Sequence, residues 1–584
     1  MATDTRTLPT NAGKYIIADF EDTFNTERAQ ASKRPFIFGY ATDGLAGERG
    51  LVEDQTHTGD QNPKKMLKGR DDAGGSQTVN LTKHNSGPIL YAAMGTPVNY
   101  VSSIDSVPNT GGDVNAGGTV TIAGSGAATF STTQSAAVGS LVYYKAADSL
   151  DYYAAFITAS ASGTSKTLQT LPQGGGDPAT ITGATVVSIV PNVVDDSSAD
   201  AVSISDGVVT FDETQASAAT GSWIMFEDDS SNVKWARLTS NAGGSTYNAV
   251  DAYGIKPPDV SSNALHGIFN SAVFEHVHHI HKNEDPPSMR MQKVLSNANP
   301  PQHETVGGVR VTGFSIPFAG EGPIVATINE TAAGSTHGHQ PYDRASLLSG
   351  TPTISKSGAN QLTFSTEQAN IEVGTRIVFR ADDGLNYART VSAIDTADTV
   401  FDVSGDTVPA TAAGSEVLAA YYPGDEYATV GNIDYDKFNA NKSTLQLAES
   451  SGTYVSETLH ETLTLGFESN PLTDIYTVGN DGQRTAIPGL MRATSLEMDG
   501  LFLSDRILNF GVDETEIKAK ITVTDSINTA HKLEFEFPEA QLPVASPAGD
   551  DKITYSVTLQ GHKQDSDSSL IATLSTDRGQ SFVS

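Results

Sequence analysis

Apolar and polar residues alternate with a period of two through three successive segments, IKAKITVTD, LEFEFPEAQLPVA and ITYSVTLQGHK, between Ile517 and Lys563. Ile517, Ala519, Ile521 and Val523 share one face, as do Leu533, Phe535 and Phe537, and then Ile553, Tyr555, Val557 and Leu559. Glu516, Lys518, Lys520, Lys532, Glu534 and Glu536 stand between them. The pattern predicts antiparallel strands in one series, packed on a core through one face and meeting water or a partner through the other. Those six charged residues are therefore candidates for an interface or a channel lining.

The same alternation marks Met289 to Leu295, Gly308 to Pro317 and Pro323 to Asn329, and later Ser443 to Leu447, Thr458 to Phe467 and Leu490 to Asp499. Phe36 to Tyr40 and Thr78 to Thr82 predict short strands on either side of a charged, glycine-rich loop from Gly44 to Gly75. Ser86 to Gly95 opens with polar residues and Pro88 and closes on glycine, which predicts a short helix plugging one end of a sheet. Met1 to Pro35 has few apolar residues and reads as an arm that orders against a neighbour. A fainter echo links the halves. A strand, an Asn-Pro loop (Asn297 to Pro301; Asn470-Pro471), a glycine and a further strand (Gly308 to Thr312; Gly489 to Thr494) recur in order, as in a duplicated sheet unit.

A clearer repeat lies in the Gly-, Ser- and Thr-rich stretches. Thr129-Phe-Ser-Thr-Thr-Gln134 leads to Gly139 and Leu141-Val-Tyr-Tyr144, and Thr210-Phe-Asp-Glu-Thr-Gln215 leads to Gly221 and Trp223-Ile-Met-Phe226. Thr363-Phe-Ser-Thr-Glu-Gln368 leads to Gly374 and Ile377-Val-Phe379. Each copy continues through a polar turn to aromatics, at Tyr152-Tyr153, Trp235 and Tyr387. Each predicts a small barrel of short strands set in a loop of the host sheet.

Composition narrows the function. A net charge of -33 opposes a surface that grips nucleic acid through its phosphates, and it suits a wall past which nucleic acid slides. There is no cysteine, hence no disulfide or thiolate chemistry. No apolar run reaches the ~20 residues of a membrane-spanning helix, and Met1 to Arg34 lacks the apolar core of a signal peptide, so neither membrane insertion nor export by that route is expected. No phosphate-binding loop, nucleophile elbow, zinc-protease or dinucleotide motif is present, and His460-Glu461 and His303-Glu304 each lack a second histidine. No enzyme activity and no cofactor are expected.

Three clusters have a sharper and a blander reading. His276, His278, His279 and His281 could ligate a metal, but a strand puts at most two of them on a face, so His337, His339 or a neighbouring copy would have to complete the set. Neutral histidines on a polar strand are the simpler account. Asp228-Asp229 and Asp382-Asp383-Gly384 could hold calcium, yet they lack spaced oxygen ligands and suit solvated turns. Tyr143, Tyr144, Tyr152 and Tyr153 could bind carbohydrate, but their recurrence in all copies favours barrel core positions.

The block ending in the helix Gly87 to Gly95, the segment Glu304-Thr-Val-Gly-Gly-Val-Arg-Val-Thr-Gly-Phe-Ser-Ile316, the host strands and the series Leu533 to Lys563 together resemble a major tail tube protein of a long-tailed, siphovirus-like bacteriophage or related tailed virus. The resemblance implies a mainly β fold: a tail-tube-type antiparallel β-sandwich or barrel with a short flanking helix, here with three inserted small β-barrel-like repeat modules. In its terms 1–35 is the arm, 36–97, 269–345 and 425–584 are parts of the tube domain, the last offering a second tube unit, and 98–268 and 346–424 are insertions. It implies a virion protein assembled in the host cytoplasm. Trimeric or hexameric rings would stack around an acidic lumen through which DNA passes without specific binding. Tail terminator and distal tail proteins are the implied partners. The modules would project outward, as in a non-contractile tail. The alternative is a distal tail or baseplate hub, or an adhesin-like virion protein whose modules bind a host surface.

Overall fold

The computed structural model describes residues 14–577 with interruptions, the longer being 53–66, 104–117, 146–151, 171–177, 193–200, 252–256, 296–301, 423–436, 477–482, 526–530, 548–552 and 563–567. The fold is mainly β, with nineteen strands in one hydrogen-bonded network and three closed six-stranded barrels. The host network begins with β1 (Lys14–Phe20), β2 (Phe36–Ile37), β3 (Tyr40–Asp43), β4 (Ala46–Val52), β5 (Leu67–Asn80), helix α1 (Ser86–Met94) and β6 (Val98–Ser103). Barrels β7–β12 (Thr119–Val190) and β13–β18 (Ala201–Phe269) follow, then β19 (Ala272–His279), β20 (Met289–Leu295), β21 (Gln302–Pro317), β22 (Val325–Ala332) and β23 (Gly334–Gly338). A third barrel, β24–β29 (Thr353–Tyr421), precedes β30 (Ser443–Glu449), β31 (Val455–Glu457), β32 (His460–Ser469) and β33 (Arg492–Leu501). Helix α2 (Arg506–Val512), β34 (Ile517–Thr524), β35 (Lys532–Gln541), β36 (Thr554–Gly561) and β37 (Ile571–Thr576) complete it.

Seventeen strands of the host network form one unit built twice, and β19 and β6 extend it from the edge of β37. In the first copy one layer runs β2–β1–β20–β21–β23, and β21 also joins a second layer, β21–β22–β5–β4. In the second copy the layers are β31–β30–β34–β35–β37 and β35–β36–β33–β32. The irregularities coincide as well. Met289 and Met291 oppose Val309 and Val306, and Ile517 and Ala519 oppose Ala540 and Phe537, so Gly307-Gly308 and Pro538-Glu539 are matching bulges. Tyr40 and Thr42 oppose Val79 and Thr78, as His460 and Thr462 oppose Gly500 and Asp499. A bulge bends its strand, and here the bend lets β21 and β35 each serve both layers.

Several expectations change. The echo between 289–312 and 464–494 is not the duplication present, because β20–β21 matches β34–β35 whereas β32–β33 matches β3, β4 and β5. Asn297 to Pro301, Gly489 and Leu490 lie outside the described residues. The arm contributes β1, paired along its whole length with β20 and burying Ile16, Ile17, Ala18 and Phe20, since a few apolar residues suffice for a strand laid beside a finished one. The loop from Gly44 to Gly75 carries β4 and much of β5 as a hairpin. Its glycines reflect close backbone approach, for a Cβ at Gly44 would lie 2.4 Å from the Ser76 carbonyl oxygen. Strand β36 meets β35 only at residues 540–541 and otherwise pairs with β33, while β37 takes the remaining edge of β35. Ile553 falls just outside the strand and is 54% exposed.

One core joins the copies, running from Ile16, Met291 and Ile328 through Phe314 and Phe467 to Phe535 and Leu574. Helix α1 buries Ile89, Leu90, Ala92, Ala93 and Met94. The copies differ at five equivalent inward positions. The first has Asp43, Gln77, Lys293, Glu304 and Glu330 where the second has Leu463, Met498, Ile521, Phe535 and Leu559. The Lys293 ammonium lies 3.2 Å from Asp43 and 3.5 Å from Glu304 and donates to the Leu45 carbonyl, and Gln77 donates to Glu330 at 3.1 Å. Burial, reinforced by Asp43, pushes the Glu330 carboxyl up to about 8.

All three barrels have the same cyclic strand order, first–second–fifth–fourth–third–sixth. They share a bulge in the sixth strand, at 186–188, 265–267 and 417–419, and one in the fourth, at 157–159, 238–240 and 391–393. Gly139, Gly221 and Gly374 have φ of 86°, 98° and 96°, a left-handed conformation that glycine adopts without strain. Tyr144, Phe226 and Phe379 fill the three cores. The other aromatics do not all follow. Tyr143 joins Leu141, Trp223, Met225, Phe269 and Phe274 in a cluster that packs the first two barrels against each other and β19. Tyr153 is 40% exposed, and the Tyr152 side chain lies outside the described residues. Trp235 opposes Met225 whereas Tyr387 opposes Phe379, a one-residue slip that turns Trp235 out of its barrel and towards Phe269 and Phe274.

Candidate functional site

The most informative feature is the junction between the two copies. Gly313, Phe314, Ser315, Ile316 and Pro317 of β21 pair with Glu468, Phe467, Gly466, Leu465 and Thr464 of β32, and the Phe314 and Phe467 rings stack with centroids 5.1 Å apart. The junction fuses the second layers into eight antiparallel strands, β4–β5–β22–β21–β32–β33–β36–β35. Its two ends are the counterparts of its middle. Strand β4 is equivalent to β32, and the chain after Gln541 is equivalent to the end of β21. Among the described residues β4 pairs only with β5, and no ladder extends past Gln541, where Val544 is 58% exposed. Edges of this kind present unpaired backbone groups to a further strand.

Arg484, from the loop between β32 and β33, clasps the junction. Its guanidinium donates to the carbonyls of Ala332 (2.7 Å), Thr473 (2.7 Å) and Ala73 (3.2 Å) and to the Asp72 carboxylate. Arg484→Ala leaves buried carbonyls without their charged donor and is expected to lower stability by about 2 kcal/mol, read as a lower thermal midpoint by circular dichroism.

The outward face of the eight-stranded layer is built of small polar and acidic residues. Thr78, Thr327, Ser315, Gly466, Ser495 and Gln560 lie in one cross-strand row. Asp72, Glu468, Glu497 and Asp499 stand in neighbouring rows, with Arg310 as a cation and no lysine among the described side chains of this face. The sequence-predicted residues lie on the other layer and form a ladder. Lys520 is 3.9 Å from Glu534 and 3.5 Å from Glu536, and Lys532 pairs with Glu534. Lys518 and Lys520 lie over the Tyr454 ring, whose hydroxyl donates to Glu536 at 2.7 Å. Glu516 stands apart, 2.8 Å from His562. With three lysines against three glutamates, these six residues carry no net charge. Tyr454 was not legible as part of the ladder because it comes from the turn before β31.

The histidines of β19 are placed separately. His276 Nδ1 is 2.6 Å from the Asn99 side-chain oxygen and His278 Nδ1 is 3.4 Å from the Gly95 carbonyl oxygen; His279 is buried, and His281 lies outside the described residues. His339 is 2.9 Å from Asn386 of the third barrel, and burial holds the nearby His303 at about 4, so it is neutral. Among the described residues no three-ligand group contains any of them. Asp228 accepts backbone hydrogen bonds from Ser230 and Asn232, Asp229 accepts from Ser261 and Asn263, and Asp383 accepts from Leu385 and Tyr387. Asp228 and Asp383 thus serve their own turns, and Asp229 ties its turn to the sixth strand of the barrel. No family model matches the chain, and no curated protein matches it.

Proposed function

We propose that the chain is a structural ring subunit of a viral tail tube, without catalytic turnover. The observation that carries this reading is the complementarity of the two open ends with the junction inside the chain. A subunit holding two copies of a unit, joined by β21–β32, repeats that contact between subunits by setting the end of β35 against β4 of the next copy. Such a contact is heterologous and closes into a ring when the rotation allows. Six units per ring, the number the resemblance implies, come from three chains.

The eight-stranded layer then faces the lumen. Its hydroxyls and amides hydrate readily, its carboxylates repel phosphate, and few cations stand among its described side chains to hold DNA by counterion release. The charge-neutral ladder on the other layer suits contact with protein or water. The barrels are inserted between β6 and β19 and after β23, where they decorate the exterior. Stacked rings in a virion tail, capped by terminator and distal tail proteins, complete the reading.

Negative-stain microscopy and native mass spectrometry of the purified protein test it. Hollow rods built of three-chain rings are the expected result. A chain that stays monomeric at high concentration, or a virion map that places it only at the tail tip, overturns the proposal, the second in favour of a hub.

A further inference from the structure

We infer that Glu516, Glu539 and His562 form a binding site for one divalent first-row transition-metal ion. The inference rests on the side chains and on the equivalence of the two copies, and is independent of ring formation. Glu516 directly precedes β34, Glu539 lies in the bulge of β35 and His562 directly follows β36. One potential ligand atom from each lies within 4.8 Å of the other two, and all three residues are half-buried. His562 Nε2 is 2.8 Å from Glu516 Oε1, and the His562 backbone N–H donates to the Glu539 carbonyl at 3.1 Å, which anchors the imidazole's base to the strand carrying Glu539.

The first copy shows how the same corner is satisfied without a metal. There the equivalent residues are Ser288, Gly308 and Ala333. A single buried carboxylate, Glu21, fills the corner and accepts from the Ser288 hydroxyl (2.7 Å), the Asn25 N–H (2.8 Å) and the Gly308 N–H (3.2 Å), with Arg290 at 3.3 Å. Ser450 takes the place of Glu21 in the second copy, as the backbone bonds show: Glu21 donates to the Ser288 carbonyl at 2.9 Å and Ser450 to the Glu516 carbonyl at 3.0 Å. One carboxylate facing three hydrogen-bond donors and a guanidinium has thus become two carboxylates sharing one imidazole.

The donor set selects the ion. Two carboxylate oxygens and an imidazole nitrogen suit Zn²⁺, Mn²⁺ or Co²⁺, whereas Ca²⁺ asks for about six to eight oxygens. Bonds of about 2.0–2.2 Å require the three side chains to draw together slightly, and three protein ligands leave at least one position for water. A bound ion would tie the start of β34 and the end of β36 to the bulge of β35.

Isothermal titration of the full chain with ZnCl₂, after dialysis against EDTA and into chelator-free buffer, tests the site. One ion per chain is expected, with affinity reduced at least tenfold in Glu539→Gln and in His562→Ala and unchanged in His337→Ala. Circular dichroism establishes that each variant is folded, and if His562→Ala is not, Glu539→Gln decides alone. Absence of saturable binding overturns the inference, as does full affinity in a folded Glu539→Gln variant.

Discussion

Lys293→Ile by itself is expected to destabilise the first sheet unit by about 3–5 kcal/mol, the cost of removing one partner from a buried ion pair. Asp43 would be left in the core without the ammonium 3.2 Å away, and the Leu45 carbonyl would lose its donor. Replacing the whole set at once, Asp43→Leu, Gln77→Met, Lys293→Ile, Glu304→Phe and Glu330→Leu, installs the residues that the second copy uses at the same positions, and stability is expected to return to the native level or exceed it by about 1–4 kcal/mol. The pH dependence separates the two chains further. The folded Glu330 carboxyl titrates at about 8, above its ordinary value of 4.5, so its contribution is fully present below the unfolded value and is lost as pH rises through about 8. The native thermal midpoint should therefore fall, relative to the fivefold variant, between pH 5 and pH 8. Parallel pH profiles would show that Glu330 is ionised in the folded protein and that the polar set does not act as described.

This contrast explains why the duplication was hard to read. A period of two reveals strands whatever fills the core, so Ile517 to Thr524 and Lys532 to Gln541 were legible from their apolar faces alone. Their counterparts, Met289 to Leu295 and Gln302 to Pro317, carry Lys293 and Glu304 on the inward face, which breaks the match in hydrophobicity while keeping the register. The segments from Gly308 and from Gly489 look alike instead, through a shared glycine, arginine and threonine, although they occupy different places in the unit. The barrels are easier, because Thr-Phe and the buried Gln134, Gln215 and Gln368 recur at fixed spacing, followed within five or six residues by Gly139, Gly221 and Gly374. The strand β1 and the hairpin β4–β5 are harder to read for a different reason: β1 is one short apolar segment whose partner β20 lies far along the chain, and the glycines of the hairpin leave no apolar stripe. The Glu516, Glu539 and His562 cluster comes from two strand ends and the bulge of a third strand, and no local spacing announces it.

Val544→Glu is expected to give a folded chain that no longer assembles. In the register of the internal junction, Gly313 opposes Glu468. The equivalent positions across the proposed subunit contact are Val544 and Glu48 of the next copy, so a glutamate at 544 would set like charges opposite each other. A juxtaposed like-charge pair at an interface costs about 2–3 kcal/mol, which raises the concentration needed for ring formation by more than about tenfold. The substitution touches no buried side chain, since Val544 is 58% exposed, and the thermal midpoint of the single chain should stay where it is. Combining it with Glu48→Lys makes the opposed pair attractive again, and assembly should recover in the double variant while Glu48→Lys alone is close to native. Sedimentation velocity across a concentration series, with microscopy of the same samples, reads all three. Because the rescue depends on this one register, a double variant that remains monomeric would exclude β35-to-β4 pairing even if the native chain forms rings. Native-like rods from the single variant would show that the rings are closed by some other surface.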